Sequence, residues 1–118
     1  MQAKSLVRNG DFKRMYARGK SVAGRYVVLY HMRNRLGYNR LGLTAGKKVG
    51  NAVQRNRAKR LMRESFRLLE AHMRTGYDIV LVARSNLPEQ HGKTVLNSLS
   101  GQLQKAGLLE QAERKASS

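Results

Sequence analysis

Cysteine is missing from this sequence, which excludes disulfides, thiolate metal sites and a cysteine nucleophile. Acids are scarce: seven Asp and Glu face 24 Lys and Arg, for a formal net charge of +17 over 118 residues. The seven (Asp11, Glu64, Glu70, Asp78, Glu89, Glu110 and Glu113) are scattered. No two stand at a spacing suited to general acid–base work or to holding two metal ions. His31, His72 and His91 share no metal-ligand spacing, and no serine lies in a nucleophile-elbow motif. No apolar run approaches the ~20 residues needed to span a bilayer. The opening MQAKSLVRNGDF lacks the apolar centre of a secretory signal. The expectation is a cytoplasmic protein with no membrane partner, no catalytic side chains and no metal held by the chain itself.

What is abundant is positive charge. The length suits one domain over 1–118, and a hydrophobic fraction of 41% allows a modest core. A charge of +17 exceeds what solubility requires and points to a polyanion. It is concentrated in KKVGNAVQRNRAKRLMRESFR, Lys47 to Arg67, where eight Lys and Arg stand against one acid, Glu64.

Hydrophobic spacing supplies the elements. Phe12, Met15 and Tyr16 share one face of a short helix, with Asn9 as expected N-cap and Gly19 as stop. Tyr26 to Met32 reads as a strand, with Tyr26, Val28, Tyr30 and Met32 on one face and Val27, Leu29 and His31 on the other. RLGLTAG reads as a shorter strand, expected to pair with it as a hairpin or meander, and KSVA adds a short edge strand. YDIVLVA is apolar from Ile79 to Ala83, as in a strand buried on both faces. Val95, Leu96, Leu99 and Leu103 recur at helical spacing between about Lys93 and Lys105. A polar tail over about 107–118 is expected to fray. The order α-β-β-β-α-β-α gives an α+β fold, a two-layer α/β sandwich on one small mixed sheet.

A long helix is expected from about Asn51 to Ala71. At about 100° per residue, Ala58, Leu61, Met62, Ser65 and Leu69 fall on one side, with Phe66 at the margin. Asn56, Lys59, Arg60, Arg63 and Arg67 fall on the other. This stripe carries one sign of charge, so it does not satisfy itself as alternating charges do. Arginine predominates, which suits forked contacts with phosphate. Just before the helix, GLTAGKKVG departs from a Walker loop in both glycine spacing and the residue after lysine, which rules out nucleotide hydrolysis. Gly46 and Gly50 either let backbone approach a phosphate beside Lys47 and Lys48, or form an ordinary strand-to-helix turn. Phe12, Tyr16 and Tyr30 are either core or surfaces on which unpaired bases stack. Basic groups with aromatics on a sheet suit single-stranded nucleic acid.

KKVGNAVQRNRAKRLMRESFR resembles the signature of the bacterial ribonuclease P protein subunit, with Arg55-Asn56-Arg57 as its Arg-Asn-Arg core. DFKRMYARGKSVAGRYVVLY before it and YDIVLVAR after it also fit, and the resemblance covers roughly Asp11 to Leu103. It implies an α/β sandwich with a left-handed β-α-β crossover. It implies an RNA-binding subunit of an endoribonuclease whose partners are the catalytic RNA and precursor tRNA, with no obligatory protein partner. The RNA, with Mg²⁺, would remove the 5′ leader.

Two surfaces carry over by resemblance. Gly46, Lys47, Lys48, Gly50, Arg55, Asn56, Arg57, Arg60 and Arg67 would face the catalytic RNA. Phe12, Tyr16, Val28, Tyr30, Lys59 and Arg63 would form a cleft for the leader. This sequence departs from the pattern at its start: many relatives carry a longer basic arm before Phe12, and here only Lys4 and Arg8 remain. The alternatives are a ribosomal or general RNA-chaperone protein, which would share the charge, and a nuclease acting without RNA.

Overall fold

A computed structural model describes residues 1–109 of the chain. The elements are β1 (Lys4–Ser5), α1 (Asn9–Arg18), β2 (Lys20–Ala23), β3 (Val27–Arg33), β4 (Arg40–Thr44), α2 (Ala52–Leu69), β5 (Tyr77–Ala83) and α3 (Gly92–Lys105). Short 3-10 turns cover Lys47–Val49, Glu70–His72 and Leu87–Glu89. The class is α+β with a mixed sheet, ordered β1-β4-β5-β3-β2.

The sheet order corrects the expected hairpin between β3 and β4. The strands are not neighbours: β5 lies between them, antiparallel to β3 and parallel to β4. The physical reason lies at the head of β5. Asp78 is buried there and accepts from Arg40 Nε (2.8 Å) and Nη2 (2.7 Å) and from Asn34 Nδ2 (2.9 Å). One carboxylate thus ties both ends of the 34–40 connection to the start of β5, so the loop spans that strand. The real hairpin is β2–β3, with KSVA at the edge as expected. Its turn is clamped by Gln102, whose Nε2 donates to Val22 O (2.9 Å) and Val27 O (2.8 Å). A side chain at Gly24 would overlap that amide.

Alternation along β3 divides the core. Val27, Leu29 and His31 are buried on the side of α2 and α3, with Leu41, Ile79 and Leu81 from the neighbouring strands. Ala58, Met62 and Phe66 of α2 and Val95, Leu99 and Leu103 of α3 complete that layer. On the opposite face α1 gives a partial cover, where Met15 packs with Leu6 and Val80, and Phe12, Tyr30, Met32 and Val82 close around them. Tyr26 departs from the expected alternation: it precedes β3 and packs against the larger cluster, because the Gly24–Tyr26 turn resets its direction.

Other boundaries also shift. Arg8, not Asn9, is the N-cap of α1, and its side chain makes no cap bond. β1 was not foreseen; it pairs parallel with β4 through backbone bonds such as Lys4 N to Asn39 O (2.9 Å). α2 starts after a capping box in which Asn51 and Gln54 exchange side-chain and backbone bonds. It yields to the 3-10 turn at Glu70, slightly before the expected end. Residues 107–109, expected to fray, are packed. Gly107 is left-handed (φ 76°), Leu108 N bonds to Leu103 O, and Gly107 N bonds to Gln104 O. This C-terminal motif turns Leu108 and Leu109 into the core. The rest of the expected tail, 110–118, lies outside the described residues.

Candidate nucleic-acid interface

α2 separates charge from core as its periodicity requires. Ala58, Met62, Ser65 and Phe66 are buried, while Asn56, Arg60, Arg63 and Arg67 are exposed and Arg55 and Lys59 half-buried. Among the described residues, the side chains of Arg55, Lys59, Arg60 and Arg63 make no hydrogen bond or ion pair within the protein. Their charges have no internal counterion, so a polyanion would meet them without breaking an existing contact.

Two arginines assigned to the same surface differ. Arg57 turns toward the loop before α3, donating from Nε to Pro88 O (2.6 Å) and from Nη2 to Gln90 O (3.2 Å). It braces α2 against that loop and keeps part of its guanidinium free. Arg67 is bonded to Glu64 at 2.8 Å, so its charge is largely offset.

Ahead of α2, Lys47 and Lys48 are exposed on a turn pinned by buried Val49. Gly50 has φ 140°, and a side chain there would overlap Gln54 of the capping box. Its glycine is accounted for by the strand-to-helix turn. Gly46 has open space around it.

The aromatic residues form a row on the α1 side of the sheet. Phe12 and Tyr16 have ring centroids 6.5 Å apart, and Tyr16 and Tyr30 meet edge to face at 5.0 Å. Met15 is wholly buried beneath them, so α1 is fixed and its rings cannot sink further. Tyr16 is 45% exposed; Phe12, Tyr30 and Val28 are half-buried. Lys59 and Arg63 stand apart from this row. They line a cleft of about 200 Å³ together with Leu41, Leu43 and residues 3–7. Leu41 and Leu43 belong to the α2 side, while Gly42 between them faces Phe12. The six residues assigned to one cleft are therefore brought together as four and two, on either side of the β1–β4 edge.

Among the described residues, no three His, Asp or Glu side chains gather as a metal donor set. Asp11 is paired with Arg14 (2.9 Å), and Glu70 accepts from the backbone N–H of Gln2 and Ala3. Burial pushes the Asp78 carboxyl up, but the bonds from Arg40 and Asn34 and the charges of Arg40 and Arg14 outweigh it and hold it below the ordinary carboxylate value. The bond to Asp78 raises the Arg40 pKa in turn. His31 is shifted down, first by burial and then by Lys20. Sequence reasoning missed the Asp78–Arg40–Asn34 cluster. The signal was a single acid at the head of an otherwise apolar strand. No helix among the described residues is long and apolar enough to cross a membrane.

The comparisons converge. The family model for Ribonuclease P matches residues 1–107. The ribonuclease P protein component of Caldanaerobacter subterraneus subsp. tengcongensis is 47% identical over 109 residues, covering 92% of this chain and 94% of its own. The solved RNase P protein of Staphylococcus aureus superposes with a TM-score of 0.82 at 36% identity, over 92% of this chain and all of the other. That of Thermotoga maritima gives 0.78 at 33% identity, over 86% and 96%.

Proposed function

The chain belongs to the ribonuclease P protein family, and on that premise we propose that it serves the holoenzyme by binding, with the chemistry left to the RNA subunit. The observation that carries this reading is the outer face of α2. Arg55, Lys59, Arg60 and Arg63 have no partner within the described protein, and no acidic or histidine cluster accompanies them. Arg55, Asn56 and Arg60, with Lys47 and Lys48, form the surface for the catalytic RNA. Arg57 and Arg67 contribute the donors left over from their internal bonds. The Phe12–Tyr16–Tyr30 row and Val28 take unpaired bases of the precursor tRNA leader, while Lys59 and Arg63 screen its phosphates where it rounds the sheet edge. Base–aromatic stacking is worth about 1–3 kcal/mol per base. On this reading Mg²⁺ belongs to the RNA-containing assembly, and no step is assigned to it on this chain. The reading places the protein in the cytoplasm, with no obligatory protein partner.

The test reconstitutes the protein with its catalytic RNA and titrates leader-bearing precursor against leaderless tRNA. Lys59→Ala with Arg63→Ala should weaken binding of the leader-bearing substrate about tenfold more than that of the leaderless one, through lost phosphate contacts. Equal losses for both would remove the leader assignment. Protein without RNA should leave the precursor intact, and with RNA it should support cleavage at low Mg²⁺. A general RNA chaperone would fail that second arm.

A further inference from the structure

We propose that Gly42, in the middle of β4, is a positioning residue for the aromatic row, because the space of its missing side chain is the seat of the Phe12 ring. This rests on the reading of Phe12, Tyr16 and Tyr30 as the surface for unpaired leader bases. A Cβ built at Gly42 would lie 2.7 Å from Phe12 Cζ and 2.8 Å from Cε1. Carbon–carbon contacts prefer about 3.5–4.0 Å, so even one methyl group forces the ring back by roughly an ångström.

Two features make the effect specific. The nearest backbone atom, Leu6 O, is 3.4 Å from that Cβ position, an ordinary contact. What must yield is the tip of a side chain, not the sheet. Gly42 also has no left-handed φ, so alanine fits its backbone, and glycine inside a strand otherwise weakens it. The conformation of β4 does not require glycine here, but the Phe12 ring does. Gly10, Gly37 and Gly46, by contrast, have nothing near a Cβ position. On β4 the neighbours Leu41 and Leu43 belong to the opposite face, while Arg40 and Thr44, which share the face of Gly42, both carry side chains, so the vacant Cβ space is at position 42. With its tip held, Phe12 stands 6.5 Å from Tyr16, which meets Tyr30 at 5.0 Å. Displacing the first ring disturbs the spacing on which successive bases stack.

The experiment uses reconstituted holoenzyme and measures the affinity ratio of leader-bearing to leaderless substrate for wild type, Gly42→Ala, Phe12→Ala and the double variant. Each single variant should lower the ratio about five- to tenfold, the loss of one stacked base. The double variant should fall no further than Phe12→Ala alone, since both act through one ring. If Phe12→Ala leaves the ratio unchanged, the leader reading fails and the proposal with it. If Phe12→Ala lowers the ratio and Gly42→Ala does not, the role of Gly42 alone is overturned. Equal losses on both substrates in Gly42→Ala would also overturn it, since that is what damage to the fold produces. Should Gly42→Ala fail to fold, removing the ring in the double variant must restore folding; continued misfolding would refute the clash.

Discussion

Arg57→Ala separates bracing from RNA contact within one helix. The substitution removes two bonds from a charged donor to backbone carbonyls: a partly buried one of 2.6 Å to Pro88 O and an exposed one of 3.2 Å to Gln90 O. Hydrogen bonds to charged groups contribute about 1.5–3 kcal/mol each when sheltered, and exposed ones much less. Taking the first near the middle of that range and discounting the second gives about 2 kcal/mol. For a domain of this size that lowers Tm by roughly 6–10 °C, read by circular dichroism on the free protein. Leu87 stays plugged into the core beside the loop, so unfolding should remain cooperative. Arg57→Lys keeps the charge but cannot fork to two carbonyls; it should lose nearly as much stability. Arg55→Ala should do the reverse, leaving Tm in place while weakening assembly with the catalytic RNA and flattening its log–log salt slope by about 0.7–0.9. If Arg57→Ala melts with wild type and loses as much assembly affinity as Arg55→Ala, the bracing argument is wrong.

Further outcomes follow from the core and from buried Asp78. Asp78→Asn should cost about 2–3 kcal/mol in urea unfolding, because Arg40 loses its charged partner but is exposed enough to be partly rehydrated. The Asp78 pKa is depressed on folding, so its contribution is complete above the unfolded value of about 3.9 and is lost as pH falls through the lower folded value. The gap between wild type and Asn should therefore close in acid; a gap of constant size down to pH 2 would contradict the assignment. Phe66→Ala, which empties the most bulky fully buried position, should cost about 3–5 kcal/mol by the same assay, and a loss under 1 kcal/mol would mean that the core can collapse around it.

What was legible in the sequence was what local periodicity controls. The two faces of α2 followed from the positions of Ala58, Met62, Lys59 and Arg63, and the central burial of β5 from its unbroken apolar run. Partner choice between strands is not local. Nothing in the spacing of β3 and β4 indicates that Asp78, nearly forty residues past Arg40, holds their connection across a third strand. β1 escaped because Lys4 and Ser5 pair through backbone while both side chains stay exposed. Arg57 was assigned to the RNA surface by resemblance, although the helical wheel left it off the basic stripe. The wheel was the better guide to its direction. The aromatic row was visible as residue types on two elements, but the separation of Lys59 and Arg63 from it depended on where β1 lies. Leu108 and Leu109, two apolar residues directly after Gly107, were a signal for a packed helix end that the polar residues beyond them obscured.

The place of β5 in the sheet has a consequence for biosynthesis. Both β3 and β4 hydrogen-bond to it and not to each other, so a chain emerging from the ribosome can form the β2–β3 hairpin, but β4 has only the two-residue β1 beside it until residue 83 is out. Throughout that interval the cationic helix is already translated while its apolar side lacks the strand it covers. Such non-local closure is slow by nature, and it leaves a sticky, highly charged nascent intermediate surrounded by ribosomal RNA. Ribosomes stalled so that residue 83 lies inside or beyond the exit tunnel should differ sharply in the protease resistance of the emerging chain.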